Sequence, residues 1–159
     1  MSTPEQARAA ARSAVLDFSA ASGLELTEVG EDRWFTTLAG EHKRTVPVFL
    51  DLGERQLAVE SFFTRAPDEN EGPLFRYLLG RHLRSHVLRF AVADSGDILL
   101  IGVLPNAAVT SAEIDVLLGQ LLAMADEAFD KALRLGFASY IEREQRWRSQ
   151  RGVPRNPIT

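Results

Sequence analysis

Apolar positions along the chain change their period several times, and each change marks an element. Ala7, Ala11, Ala14, Val15 and Phe18 recur at helical spacing, which predicts a first helix. Thr3 can cap it, with Pro4 at the first helical position and Gln6 placed to complete a capping box; Ser22-Gly23 stops it. Strand signals follow: Leu24–Val29 and Arg33–Leu38 flank Gly30-Glu31-Asp32, then Thr45–Asp51 and Gln56–Phe63 flank Leu52-Gly53-Glu54-Arg55. Pro47 has no N–H to donate, so its strand lies near a sheet edge or begins at that point.

A helical period returns over Glu71–Ser85, with Pro73 in the first turn and Leu74, Leu78, Leu79 and Leu83 as the inward stripe. Val87–Ala93 and Ile98–Leu104 then flank Asp94-Ser95-Gly96-Asp97, the clearest hairpin turn in the chain. Thr110, with Glu113 three residues on, reads as the cap of a long helix running to Leu135-Gly136. Its inward face carries Ile114, Leu117, Leu118, Leu121, Ala125, Phe129 and Ala132. A shorter helix is predicted over Ser139–Ser149. The order α-β-β-β-β-α-β-β-α plus a C-terminal helix places the chain in the α+β class, as one domain over residues 3–149 with a disordered tail over 150–159.

Two segments are more apolar than a solitary domain needs. Ile98, Leu100 and Leu104 fall on one face of their strand, and Leu99, Ile101 and Val103 on the other. Either this strand lies under two layers, or another chain covers its second face. The helix after Thr110 has an apolar arc covering about half its circumference. A homodimer accounts for both features economically; the alternative is cover by the chain's own helices.

The 159 residues carry a formal charge of −4, which argues against nucleic acid as the main partner. Absence of cysteine removes disulfides, thiol catalysis and thiolate zinc sites. The N-terminal segment is interrupted by Arg8, Arg12 and Asp17, so it does not read as a signal peptide, and no run of 18 apolar residues occurs. A cytoplasmic location is expected.

Candidate chemistry is sparse. His82 and His86 have metal-compatible i, i+4 spacing but no HExxH context, and read as helix-end histidines; His42 lies in a turn. Asp68, Glu69 and Glu71 precede a helix, where negative charge suits the dipole, and Asp94 and Asp97 sit in a turn. Asp51 and Glu60 lie inside apolar strands but at positions that an outward face supplies. No GxGxxG, P-loop or GxSxG motif is present. No catalytic, metal or cofactor-binding residue is assigned, no cofactor is expected, and the chain is not expected to be an enzyme. The C-terminal Arg143, Arg146, Arg148, Arg151 and Arg155 surround Trp147. They suit either phosphate binding or a helix that docks through Phe137, Tyr140, Ile141 and Trp147 with its arginines in solvent, and the acidic balance favours docking.

Several spaced blocks resemble the YbjN family, whose members are described as bacterial sensory transduction regulators. These are Val46-Pro-Val-Phe-Leu-Asp-Leu-Gly-Glu-Arg, Glu60-Ser-Phe-Phe-Thr-Arg-Ala-Pro-Asp-Glu-Asn, Phe75-Arg-Tyr-Leu-Leu-Gly-Arg, Gly96-Asp-Ile-Leu-Leu-Ile-Gly and Leu135-Gly-Phe-Ala-Ser, within Leu16 to Arg148. The resemblance implies a fold similar to type III secretion chaperones, a twisted antiparallel sheet with helices packed on it, generally dimeric. It brings no catalytic residue with it. The resulting expectation is a homodimeric, non-catalytic protein-binding regulator or chaperone-like module with an unidentified protein or peptide partner. Phe49, Phe62, Tyr77, Leu99 and Ile101 are the candidate contacts, each with ordinary core packing as its alternative. A nucleic-acid-associated regulator using the arginine-rich segment, or an enzyme with an unrecognised site, stands as the other reading.

Overall fold

The N-terminal cap forms as its residues dictate. In a computed structural model that describes residues 2–156, helix α1 spans Pro4–Ser22. The Thr3 hydroxyl accepts from the Gln6 N–H at 3.2 Å, and Gln6 Oε1 accepts from the Thr3 N–H at 2.9 Å. Gly23 closes the helix in the left-handed region at φ 72°, where a side chain would be strained.

Six strands follow: β1 (Thr27–Gly30), β2 (Arg33–Leu38), β3 (Val46–Leu52), β4 (Gln56–Thr64), β5 (Arg89–Val92) and β6 (Ile98–Pro105). They form one fully antiparallel sheet in the order β1-β2-β3-β4-β6-β5. The expected fold class therefore holds. Pro47 lies at the start of β3: it pairs with Thr37 of β2, while the ladder to β4 begins two residues later, at Phe49. Alternation decides the two faces. Trp34, Val46, Val48, Leu50, Leu52, Leu57, Val59, Ile98, Leu100 and Leu104 are buried on one face, in one core with Ala11, Val15 and Phe18 of α1.

Helix α2 spans Glu71–Arg81 and α3 Ser111–Gly136, and both pack on that same face. The Thr110 hydroxyl caps α3 by accepting from the Glu113 N–H at 3.1 Å. Ile114, Leu117, Leu118, Leu121, Met124, Ala125, Ala128 and Ala132 are buried, so the chain's own sheet and helices absorb most of the wide α3 arc. The α2 stripe differs from its sequence pattern. Leu74 and Leu78 are buried, but Leu79 is 64% and Leu83 91% exposed. The α-helix ends at Arg81 and tightens into a 3-10 turn over His82–Arg84, which breaks the 3.6-residue phase that would have turned Leu83 inward.

Polar clasps fix the loops to this core. Asp32, 6% exposed, receives hydrogen bonds from Arg8 and, at 2.7 Å, from Arg12 Nε, tying the β1–β2 turn to α1. Buried Asn106 donates to the Gly53 and Glu54 carbonyls and holds the β3–β4 turn. Residues 39–45 are pinned on α3, because Asp126 Oδ1 accepts from the His42 and Lys43 N–H groups, both at 2.8 Å, and His42 Nδ1 meets Asp130 at 2.7 Å. A Cβ on Gly40 would fall 2.3 Å from that Asp126 oxygen, so only glycine permits the approach. Partial burial pushes the Asp126 carboxyl up, but the N–H groups of Lys43, His42 and Glu41, with the nearby His42 ring, outweigh it and hold it below the usual range.

Helix α4 spans Ala138–Gln150. The acidic stretch before α2 serves this later helix: Glu69 accepts from the Ser139 N–H at 2.7 Å and from its hydroxyl at 3.1 Å. Asn70 is left-handed at φ 53° and sends its amide to the Leu135 carbonyl instead of capping α2. The stretch expected to be disordered from residue 150 folds back on α4 as far as Asn156. Gln145 exchanges hydrogen bonds of 3.0 Å with the Asn156 backbone, and Arg148 donates to the Pro154 carbonyl at 3.1 Å. Residues 157–159 lie outside the described residues.

Asp32→Ala removes both clasps to α1 and places alanine in a left-handed backbone. It is expected to lower stability by about 2 kcal/mol in urea unfolding, with Asp32→Asn milder, because the arginine partners are half exposed. Unchanged stability would show the clasp to be idle. For Asp126 the folded carboxyl titrates below its unfolded value, so its contribution is complete above that unfolded value and is lost as pH falls through the folded one. Urea midpoints followed from about pH 6 to about pH 2.5 should fall more steeply for the native chain than for Asp126→Asn. Parallel curves would contradict the clasp.

Candidate functional site

The second face of the sheet lies opposite the buried one, and its side chains follow from the same alternation. One row of Cα partners crosses all six strands: Thr27, Phe35, Phe49, Glu60, Ile101 and Arg89. A neighbouring row runs Phe62, Leu99 and Ala91; another runs Arg33, Asp51, Ala58 and Val103. Phe35, Phe49, Leu99, Ile101 and Val103 are half-buried and Phe62 is exposed, in contrast to the sealed residues between them. Phe35 and Phe49 pack with ring centroids 5.0 Å apart, and the Arg33 guanidinium lies 4.7 Å above the Phe49 ring. The result is an apolar surface across the central strands, dotted with single charges at Arg33, Asp51, Glu60 and Arg89. An apolar face of this kind binds by burial and offers little leverage on a reacting bond.

Four of the five candidate contacts, Phe49, Phe62, Leu99 and Ile101, share this face. Tyr77 does not. It sits on α2, packed against the core, with the Lys131 ammonium 4.6 Å above its ring. Phe35 and Val103 belong to the surface as well. Strand parity marks them, since Phe35 alternates with Trp34 and Thr36, and Val103 with Leu104.

The titratable candidates do not converge. Asp51 and Glu60 are exposed, in different rows of the open face. His82 Nε2 accepts the Phe90 N–H at 2.8 Å and its ring stacks on Phe90; burial, then the charge of Arg89, push its imidazole below the ordinary range. Among the described residues no three His, Cys, Asp or Glu side chains gather to hold a metal ion. A cavity of about 670 Å³ between α2 and α3 is lined by Arg76, Arg81, Arg84 and His86, with Glu127 bound to Arg81. On α4 the arginines are largely engaged locally: Arg146 with Glu142, Arg148 with Glu144, and Arg151 over the Trp147 ring at 4.8 Å. Phe137 is buried at the helix start, whereas Tyr140 and Trp147 are about half exposed, so α4 is anchored mainly at its N-terminal end. No helix of the described residues is long and apolar enough to cross a membrane.

Comparison with known proteins places this architecture. The chain is 41% identical over 115 residues to an uncharacterized protein of Mycobacterium tuberculosis strain H37Rv, covering 72% of this chain and 63% of the relative. It is 37% identical over 126 residues to an uncharacterized protein of Mycobacterium leprae, covering 79% and 68%. The chain thus spans less than two thirds of the length of the tuberculosis relative. Among solved structures, the HopA1-SchA chaperone-effector complex contains a chain similar at TM-score 0.59 and 12% identity, over 74% of this chain and 91% of that one. The Yersinia pestis type III secretion chaperone SycH, in complex with a fragment of YscM2, is similar at 0.52 and 20%, over 79% and 98%. "YbjN, a putative transcription regulator from E. coli" is similar at 0.53 and 11%, over 74% and 87%. These likenesses establish a secretion-chaperone-like fold. The family model described as "YbjN: Putative bacterial sensory transduction regulator" matches residues 11–134, and the chain belongs to the YbjN family.

Proposed function

We propose that this chain is a non-catalytic, single-domain, cytoplasmic protein-binding regulator that holds a segment of another polypeptide on the open face of its sheet and acts as a homodimer. The observation that carries the reading is the apolar surface of Phe35, Phe49, Phe62, Leu99, Ile101 and Val103, which the helices of the chain leave half exposed. A partner segment lying across these strands would bury their side chains, while Arg33, Glu60 and Arg89 supply charges that set its register. Several fold neighbours were solved with another protein bound, which supports a polypeptide partner. The local pairing of the α4 arginines gives no support to a nucleic-acid role.

The second copy is assigned a different surface, so that the open face stays free for the partner. Leu79 and Leu83 project from the end of α2, and Val92 is exposed on the edge strand β5 beside them. Between α2 and β5 runs an apolar groove of about 210 Å³ lined by Phe75, Leu78, Leu79, His82, Phe90 and Val92. A twofold axis at this edge would cover these side chains with their own copies.

Ile101→Glu on the half-exposed face should leave the far-ultraviolet spectrum unchanged. It should also abolish retention of a polypeptide that the native chain captures from its own cells. Equal capture by the two proteins would remove the open face from the reading. For the dimer, light scattering should give twice the chain mass for the native protein and a single-chain mass for the Leu79→Glu, Leu83→Glu double variant. A native mass equal to one chain at every concentration ends the homodimer.

A further inference from the structure

Where β4, α3 and α4 meet, a pocket of about 280 Å³ is walled by Phe63, Phe129, Phe137 and Tyr140. Five polar residues interrupt this lining, Lys43, Thr64, Arg65, Glu144 and Asn156; Arg65 is held by Asp68 and Asn156 by Gln145. Lys43 is only 8% exposed and its ammonium lies 4.9 Å above the Phe129 ring, yet no carboxylate of the described residues lies within ion-pair distance. Glu144 also lines the pocket, but Arg148 holds it through Nε at 3.0 Å. Thr64 is 5% exposed and its buried hydroxyl has no hydrogen-bond partner. Burial pulls the Lys43 ammonium below the ordinary lysine range, as expected for a partly desolvated cation with no carboxylate partner among the described residues.

We propose that this pocket binds a small organic acid, an apolar or aromatic body carrying one carboxylate, with Lys43 as its counter-ion and Thr64 as a hydrogen-bond donor. A cation with no carboxylate partner among the described residues, in one lining with an unpartnered hydroxyl, is the complement of a single carboxylate, and the aromatic walls are the complement of its hydrocarbon. With Arg65 committed to Asp68, Lys43 alone is poorly matched to a phosphate, which brings up to two charges and three acceptor oxygens. The volume fits as well: a cavity of about 150 Å³ holds a benzene ring, so this one has room for a ring and a short acidic arm. Phe62 lines both this pocket and the open face, so the two adjoin, but the polar groups assigned to the acid, Lys43 and Thr64, are not on the open face, and their occupancy does not depend on the partner-binding reading.

The probe is 3-phenylpropionate added to the full chain and followed by NMR, with neutral 3-phenylpropanamide and acetate as comparators. Saturable shifts centred on Lys43, Thr64 and Phe129 are expected, with the acid binding about tenfold or more tightly than the amide. Acetate, which lacks the body, should not saturate. Lys43→Met should erase the preference for acid over amide, Thr64→Val should weaken the acid, and Lys131→Met, away from the pocket, should change neither. Lys43→Met should also raise the unfolding temperature of the ligand-free chain, because it removes a partly desolvated charge that meets no carboxylate among the described residues. The assignment is overturned if the acid gives no saturable shifts, if the shifts centre elsewhere, if acid and amide bind alike, or if Lys43→Met binds the acid as the native chain does.

Discussion

Burial of one face of the antiparallel sheet beneath α1, α2 and α3 is the constraint on which the molecule depends. Side chains on a strand alternate, so sealing Val46, Val48, Leu50 and Leu52 commits Pro47, Phe49 and Asp51 to the other side. The same holds for β6, where Ile98, Leu100 and Leu104 go inward and Leu99, Ile101 and Val103 are delivered to the opposite surface. A one-residue slip would exchange the two sets and bury Asp51 and Glu60, so register is strongly specified. The position of the open face is thus a consequence of the core: alternation fixes which residues stand on it, while their polarity is free to vary.

Loops around this sheet are positioned by charged and amide clasps more than by apolar packing. Asp32 joins the first hairpin to α1, Asn106 spans the β3–β4 turn, and Asp126 fastens residues 39–45 to α3. Each uses an acceptor or donor to satisfy backbone or guanidinium groups that a turn would otherwise leave exposed or unpaired. Gly136 permits a further close join, since a Cβ there would meet Pro67 and Leu74 at about 3 Å, where the loop before α2 donates to the Gly136 carbonyl. That contact brings Glu69 to the start of α4. One loop therefore fixes the angle at which the last helix leaves the domain.

Local rules made much of this legible. The Thr3 box, the Gly23 stop, the Asp94–Asp97 turn and the two apolar sets of β6 each depend on neighbours within a few residues, and sequence spacing reports such neighbours directly. The α2 stripe departs from its pattern at Leu83, which keeps a helical period past the point where the helix tightens after Arg81, and at Leu79, which lies next to buried Leu78 but outside its packed face. The wide arc of α3 looked like surplus but is absorbed by the sheet and two helices; the surplus on β6 is left over. Tyr77 belongs to α2, which packs on the buried side of the sheet, so it stands apart from the strand residues of the open face. The pocket around Lys43 had no local signature at all. It joins a loop, a strand and two helices whose residues lie up to about a hundred positions apart, and only folding brings them together.

The division between satisfied polar groups and unspent apolar area bears on what kind of protein this is. Catalysis needs titratable groups held near a common point with their protonation displaced from the ordinary. Here the displaced carboxylates, Asp68 and Asp126, are committed to Arg65 and to backbone N–H groups, and His82 spends its acceptor on Phe90. Their perturbation is explained by structural bonds that leave them no reach toward a substrate. The apolar residues of the open face have no such internal employment, and the Lys43 ammonium, set over the Phe129 ring, meets no carboxylate among the described residues. Free energy of association is available at those two places, through burial at one and charge pairing at the other.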